Sequence, residues 1–204
     1  MRIIFEDEQM RVIDKPAGVV SESLGRVAHR LDKDTSGVIV LAKTSGAYEN
    51  LKVQFLERKV KKIYAALVHG IMKSEAGIIS EPLVRNPKKG NKFLVGLGGR
   101  PAITEWRVVR QYLNPKPGYS FLDVSPHTGR THQIRVHLKH LGHQIVSDPL
   151  YGGRKLYRED IKFCPRLFLH ARYLEFTHPV SGERVQFEAG LPEELAEAIK
   201  KLVD

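Results

Sequence analysis

One cysteine, Cys164, stands in the 204 residues. No intrachain disulfide can form, and a cysteine-rich zinc site is excluded. Long apolar runs are also missing: none approaches the roughly 20 residues that a membrane span requires. The start, Met1-Arg2-Ile3-Ile4-Phe5-Glu6-Asp7-Glu8, turns acidic where a signal peptide needs a long apolar stretch. There is no internal repeat, no low-complexity linker, no glycine-rich phosphate loop and no carboxylate-rich metal cluster. These absences argue against a secreted disulfide scaffold, a membrane protein and a phosphate-handling or metal hydrolase. A cytoplasmic protein holding no metal is expected.

Apolar residues make up 42% of the chain and charged residues 27%, the balance of an ordinary globular protein. The length suits one domain, residues 1–204, or one domain split into two lobes around a cleft. The charge balance says more. Lys and Arg number 33 against 23 Asp and Glu, a net charge of +10. A field of that sign concentrates polyanions, and nucleic acid is the commonest with a defined shape. Two basic clusters, Arg58, Lys59, Lys61, Lys62 and Arg85, Lys88, Lys89, Lys92, are candidates for bordering such a path or simply for solubility.

Short strand-like segments dominate: Arg2–Phe5, Met10–Ile13 (stopped by Lys15-Pro16-Ala17-Gly18), Val38–Ala42, Ile63–Val68, Ile78–Val84, Ala102–Arg110, Tyr119–Ser125, Arg172–Phe176 and Arg184–Phe187. Ser45 or Thr44 can cap a helix with Tyr48, Leu51 and Phe55 on one stripe and Ala47 beside it. Thr131–Leu141 reads as a helix with Ile134, Leu138 and Leu141 on one side. Pro192 at a first helical position, followed by Glu193 and Glu194, opens a last helix whose apolar face is Leu195, Ile199 and Leu202. Many strands, short loops and few helices predict an α+β domain with mainly antiparallel pairing.

Three segments carry possible chemistry. His29-Arg30-Leu31-Asp32-Lys33-Asp34-Thr35-Ser36-Gly37 is either a hydrophilic turn, with Asp32 or Asp34 bonding nearby amides, or a reactive carboxylate at the rim of a buried strand. In Thr128–His137, the Gly129-Arg130 turn can bind phosphate through amides and Arg130, or be no more than a solvated helix start. Arg135, between Ile134 and Val136, is placed for burial and would then need a carboxylate partner. His127, His132, His137, His140 and His143 suggest RNA contact or capping rather than metal, since His132, His137 and His140 share no tight helical face and no nearby carboxylate completes a set. On the strand near Ile63, Lys62 and Tyr64 point to one face by the two-residue period, a cation beside an aromatic plane that suits a flipped base.

Together and in this order the segments resemble the RluA-type pseudouridine synthases. His29–Gly37 is similar to that family's His-Arg-Leu-Asp signature followed by Thr-Ser-Gly, Lys62 and Tyr64 to its Lys-x-Tyr strand, and Thr128–His137 to its Thr-Gly-Arg-Thr-His-Gln-Ile-Arg-Val-His segment. Asp148-Pro149-Leu150-Tyr151-Gly152, Lys15-Pro16-Ala17-Gly18 and Leu169-His170-Ala171 also fit. The resemblance implies the pseudouridine synthase fold, a mixed and mainly antiparallel sheet bisected by an active-site cleft and flanked by helices. It implies Asp32 as the catalytic Asp, Arg135 as its partner and Tyr64 as the platform for the target base. Arg30 matches the position that displaces the flipped base, and Lys62, Arg130 and His132 join the substrate-binding set.

The resemblance further implies an isomerase of uridines in ribosomal or transfer RNA. A monomer with no cofactor is expected, because the reaction adds no group and involves no net redox change. The rival class is a non-catalytic RNA-binding or ribosome-assembly factor using the same basic surface. Two departures from the family pattern stand out: the stretch between Gly18 and His29 is short, and Ser147 stands where a glycine usually precedes Asp148. An S4-type RNA-binding domain, often present in the family, is not expected here.

Overall fold

The computed structural model describes residues 1–88 and 90–202. In chain order the strands are β1 (Arg2–Glu6), β2 (Met10–Lys15), β3 (Arg26–Val27), β4 (Ser36–Ala42), β5 (Lys61–His69), β6 (Ala76–Ile79), β7 (Leu83–Arg85), β8 (Phe93–Val95), β9 (Thr104–Tyr112), β10 (Tyr119–Pro126), β11 (Leu169–Thr177) and β12 (Arg184–Glu188). The helices are α1 (Ser45–Leu56), α2 (Gln133–His140), α3 (Arg154–Asp160) and α4 (Glu193–Lys200), with one 3-10 turn at Ser21–Leu24. The α+β class is as expected from the sequence. The chain forms two compact units, Met1–Tyr64 with His170–Gly190, and Ala65–Leu169 with the chain from Leu191.

In the first unit the strand order is β1-β2-β4-β11, with β3 also on β4 and β12 also on β11. Pairing is antiparallel except for β4 with β11, which run parallel through His170↔Ser36 and Ala171↔Gly37. All seven residues of β4 are buried. That explains why Val38-Ile39-Val40-Leu41-Ala42 is a continuous apolar run and not an alternating one: a strand covered on both faces has no solvent side. Val38, Val40 and Ala42 pack with Ala47 and Leu51 of α1. Ile39 and Leu41 pack with Ile13, Leu31 and Ala171, against which Leu24, Val27 and Tyr64 also lie. The second of these clusters is the floor of the loop that carries Asp32.

α1 starts where expected because the Thr44 side chain accepts the Ala47 N–H at 3.2 Å, satisfying one of the free amides of the first turn. In the second unit the order is β5-β10-β9-β6, and β7 and β8 form a separate two-stranded sheet. Residues Ile78–Val84, expected as one strand, are divided between β6 and β7 in different sheets. Pro82 lies at the break, where it has no N–H to give to a ladder. β3, β8, α3 and the 3-10 turn were not legible; each is short or, for α3, lacks a clear apolar stripe. α2 is two residues shorter at its start than expected, and Leu141, 40% exposed, follows it instead of joining its buried side. Pro192 caps α4 from outside the helix, not from its first position.

Candidate active site

The loop ahead of β4 is fastened residue by residue. His29 stacks on Phe55, ring centroids 4.3 Å apart, and its Nε2 accepts the Val40 N–H at 3.3 Å. β3 has already paired Val27 with Leu41, so the imidazole extends that ladder with a side chain. Ser21 Oγ accepts the Leu31 N–H at 3.0 Å and donates to the Leu31 carbonyl at 2.9 Å. The Lys33 carbonyl accepts from the Gly18 N–H at 2.8 Å and from Lys15 Nζ at 3.2 Å. Thr35 N–H donates to the Asp32 carbonyl at 3.0 Å, closing a turn whose exit is the buried Ser36-Gly37 of β4. Asp32 itself is half-buried on this clamped turn.

Lys15 explains the Lys-Pro-Ala-Gly segment. It is fully buried at the end of β2, and its ammonium donates to the carbonyls of Pro16, Val19 and Lys33. A buried cation is costly unless its donors are satisfied, so Lys15 holds these loops in one arrangement or not at all. At the far side of β4, His170 accepts the Ser36 hydroxyl on Nδ1 at 2.9 Å and donates from Nε2 to the Ala189 carbonyl at 3.1 Å. Gly37 has no room for a side chain because it approaches the Ala171 backbone: a Cβ on Gly37 would lie 2.2 Å from the Ala171 oxygen.

Lys62 and Tyr64, both half-buried, lie two residues apart on β5, as the period-2 argument requires. Burial lowers Lys62 to about 8. Burial, with a smaller contribution from the Asp32 charge, pushes the Tyr64 phenol well above its ordinary value. Tyr64 packs on the cluster that contains Leu31, the chain neighbour of Asp32. His29 is lowered to about 3, first by burial and then by the Lys62 charge, which keeps its ring neutral and able to accept from Val40. Arg30 is exposed and paired with Glu22 at 3.2 Å.

In the second unit, Arg135 is 2% exposed and does have the carboxylate partner that burial demands. Its Nε and one terminal nitrogen donate to the two Asp148 oxygens at 2.8 and 2.7 Å, a bidentate pair. Asp148 Oδ1 also accepts the Leu150 and Tyr151 amides. The guanidinium lies 5.2 Å from the Tyr151 ring centroid, and Tyr151 Oη bonds His132 Nδ1 at 2.9 Å. Ser147 takes φ +55°, a left-handed conformation that favours glycine. Its N–H donates to Asp160 and its hydroxyl to the Cys164 carbonyl, which offsets the strain.

Two further groups of Thr128–His137 are bonded within the unit. The Arg130 amide donates to Gln133 Oε1 at 3.0 Å and its Nε to the Pro101 carbonyl at 3.1 Å, which ties the residue into the turn. His137, expected to touch RNA or cap a helix, is fully buried: it donates from Nε2 to the Glu81 carbonyl and bonds the Thr104 hydroxyl through Nδ1. No group of three or more His, Cys, Asp or Glu among the described residues is placed to hold a metal ion. In the basic clusters, Arg58, Lys59 and Lys61 are exposed, Lys92 donates to the Leu150 carbonyl, and Lys89 lies outside the described residues.

A family model described as RNA pseudouridylate synthase matches residues 9–140. The chain is 37% identical over 226 residues to "Ribosomal large subunit pseudouridine synthase D" of Pseudomonas aeruginosa, covering 95% of this chain and 69% of that one. The protein of the same name from Neisseria meningitidis serogroup A is 38% identical over 224 residues, covering 95% of this chain and 59% of that one. Among solved structures, "Human RNA Pseudouridylate Synthase Domain Containing 1" superposes with a TM-score of 0.77 at 29% identity, covering 98% of this chain and 94% of that one. On sequence and fold together, the chain belongs to the RNA pseudouridine synthase family, whose enzymes are isomerases.

Proposed function

We propose that the chain isomerises specific uridines of ribosomal RNA, transfer RNA or both to pseudouridine, with Asp32 as the catalytic carboxylate acting on a base flipped out of its stack. The observation that carries this reading is the clamped turn: a half-buried carboxylate whose neighbours on both sides are tied down, beside the raised phenol of Tyr64. A reactive group held by a rigid scaffold needs no reorganisation at the moment of reaction. The reaction breaks the carbon–nitrogen glycosidic bond, turns the uracil and rejoins it through carbon. A carboxylate that attacks, deprotonates or stabilises an electron-poor intermediate is the group this chemistry requires. In this reading Arg135 is the cation that favours the ionised carboxylate. Tyr64 stacks on the base, Arg30 takes the place the base vacates, and Lys62, Arg130 and His132 bind the RNA strand.

The test is pseudouridine content after incubating unmodified ribosomal and transfer RNA transcripts with the protein. Asp32→Asn keeps the shape and removes the charge. It is expected to bind RNA as well as the wild type and to form no detectable pseudouridine. Folded Asp32→Asn protein that isomerises at near the wild-type rate would overturn the assignment and turn attention to Asp34. Binding by the wild type without any isomerisation on either RNA would favour the assembly-factor reading.

A further inference from the structure

The stretch between Gly18 and His29 contains a 3-10 turn, Ser21–Leu24. Three of its four side chains are committed to the residues just before Asp32. Ser21 is fully buried and bonds both backbone groups of Leu31, accepting its N–H and donating to its carbonyl. Glu22 holds the Arg30 guanidinium at 3.2 Å. Leu24 packs on the cluster that contains Leu31 and supports Tyr64. One hydroxyl thus supplies Leu31 with the two bonds that an adjoining strand would otherwise provide.

The two polar contacts differ in kind. Ser21 and Leu31 meet in the interior, where a lost bond leaves buried groups unsatisfied. Glu22 and Arg30 are exposed, 54% and 58%, so their pairing adds little stability. A weak, solvated pair orients Arg30 yet releases it readily when RNA arrives. We propose that Ser21 and Glu22 are positioning residues of the isomerase site: Ser21 fixes the backbone from which the Asp32 carboxylate projects, and Glu22 holds Arg30 in place until RNA arrives. This rests on the isomerase reading for its consequence, though not for its geometry.

Amide hydrogen exchange on the intact chain tests the geometry without turnover. In Ser21→Ala the Leu31 amide is expected to exchange about tenfold faster, with Leu51 of α1 unchanged as a control. A Leu31 amide as protected as in the wild type overturns the role of Ser21. On a large-subunit ribosomal RNA transcript, Ser21→Ala is expected to lower kcat by roughly tenfold to a hundredfold with KM unchanged, and an unchanged kcat refutes positioning. Should Ser21→Ala fail to fold, the exposed pair decides through a double-mutant cycle. Glu22→Gln is expected to lower kcat about threefold alone and not at all in an Arg30→Gln background. Independent, multiplying effects would overturn the proposal for Glu22. Absence of pseudouridine with the wild type counts against the isomerase reading, and Leu31 exchange still decides whether Ser21 holds the loop.

Discussion

The phenol of Tyr64 is acted on twice in the same direction, since burial and the nearby Asp32 charge both disfavour its anion. At neutral pH it is therefore a neutral ring and an O–H donor, which suits a stacking platform and not a base. Lys62, two residues earlier on the same face, is moved the other way: burial disfavours the ammonium and lowers it to about 8. Its charge is present below that pH and fades above it, so its attraction for phosphate fades too. RNA affinity measured from pH 7 to 9 is expected to fall as pH rises through about 8, and Lys62→Arg, whose guanidinium does not titrate there, to flatten the profile. A wild-type profile already flat over that range would remove Lys62 from the RNA contact. Arg135 shows the complementary case. Its burial raised the need for a carboxylate, and Asp148 meets it with both oxygens.

At the scale of the element, β4 is the piece on which the site depends. Its entry carries Asp32, its two faces contact two different clusters, and its first residues pair in parallel with β11. Gly37 is the pinch point. Its φ of +121° and the 2.2 Å that a Cβ would leave to the Ala171 oxygen are both incompatible with a side chain. Gly37→Ala is expected to destabilise the fold by about 3 kcal/mol or more, read as a lower denaturation midpoint with an unchanged slope. A shift of less than about 1 kcal/mol would mean that β11 moves away freely and that the parallel pairing is dispensable. Ser147 makes the opposite point. There a left-handed backbone is tolerated without glycine because the serine N–H and hydroxyl both find acceptors.

For the whole molecule, the net charge of +10 sets the response to salt. Arg58, Lys59 and Lys61 remain exposed at the entry to β5, the strand that carries Lys62 and Tyr64. If six or more phosphates are neutralised, RNA affinity is expected to fall on the order of a thousandfold between about 50 and 200 mM salt. A flat response in a filter-binding titration would show that the excess charge is incidental to binding.

The buried strand Val38–Ala42, the Thr44-capped helix and the shared face of Lys62 and Tyr64 were legible because periodicity and capping are local properties of the chain. The motif around Asp32 was legible as a resemblance, and the burial of Arg135 from its apolar neighbours. The residues that hold the loop were not. Lys15 appeared as a stop to a strand and as part of a matched segment, with no bonding role, and Ser21 not at all, since their work is to bond backbone groups at Lys33 and Leu31, 18 and 10 residues away. Likewise the division of Ile78–Val84 between two sheets and the burial of His137 depend on which strands lie beside them. A sequence determines which groups prefer to be buried and which polar groups will need partners. Only the tertiary structure decides who those partners are, because a hydrogen bond is made across a few ångströms of space between residues that the chain order does not relate.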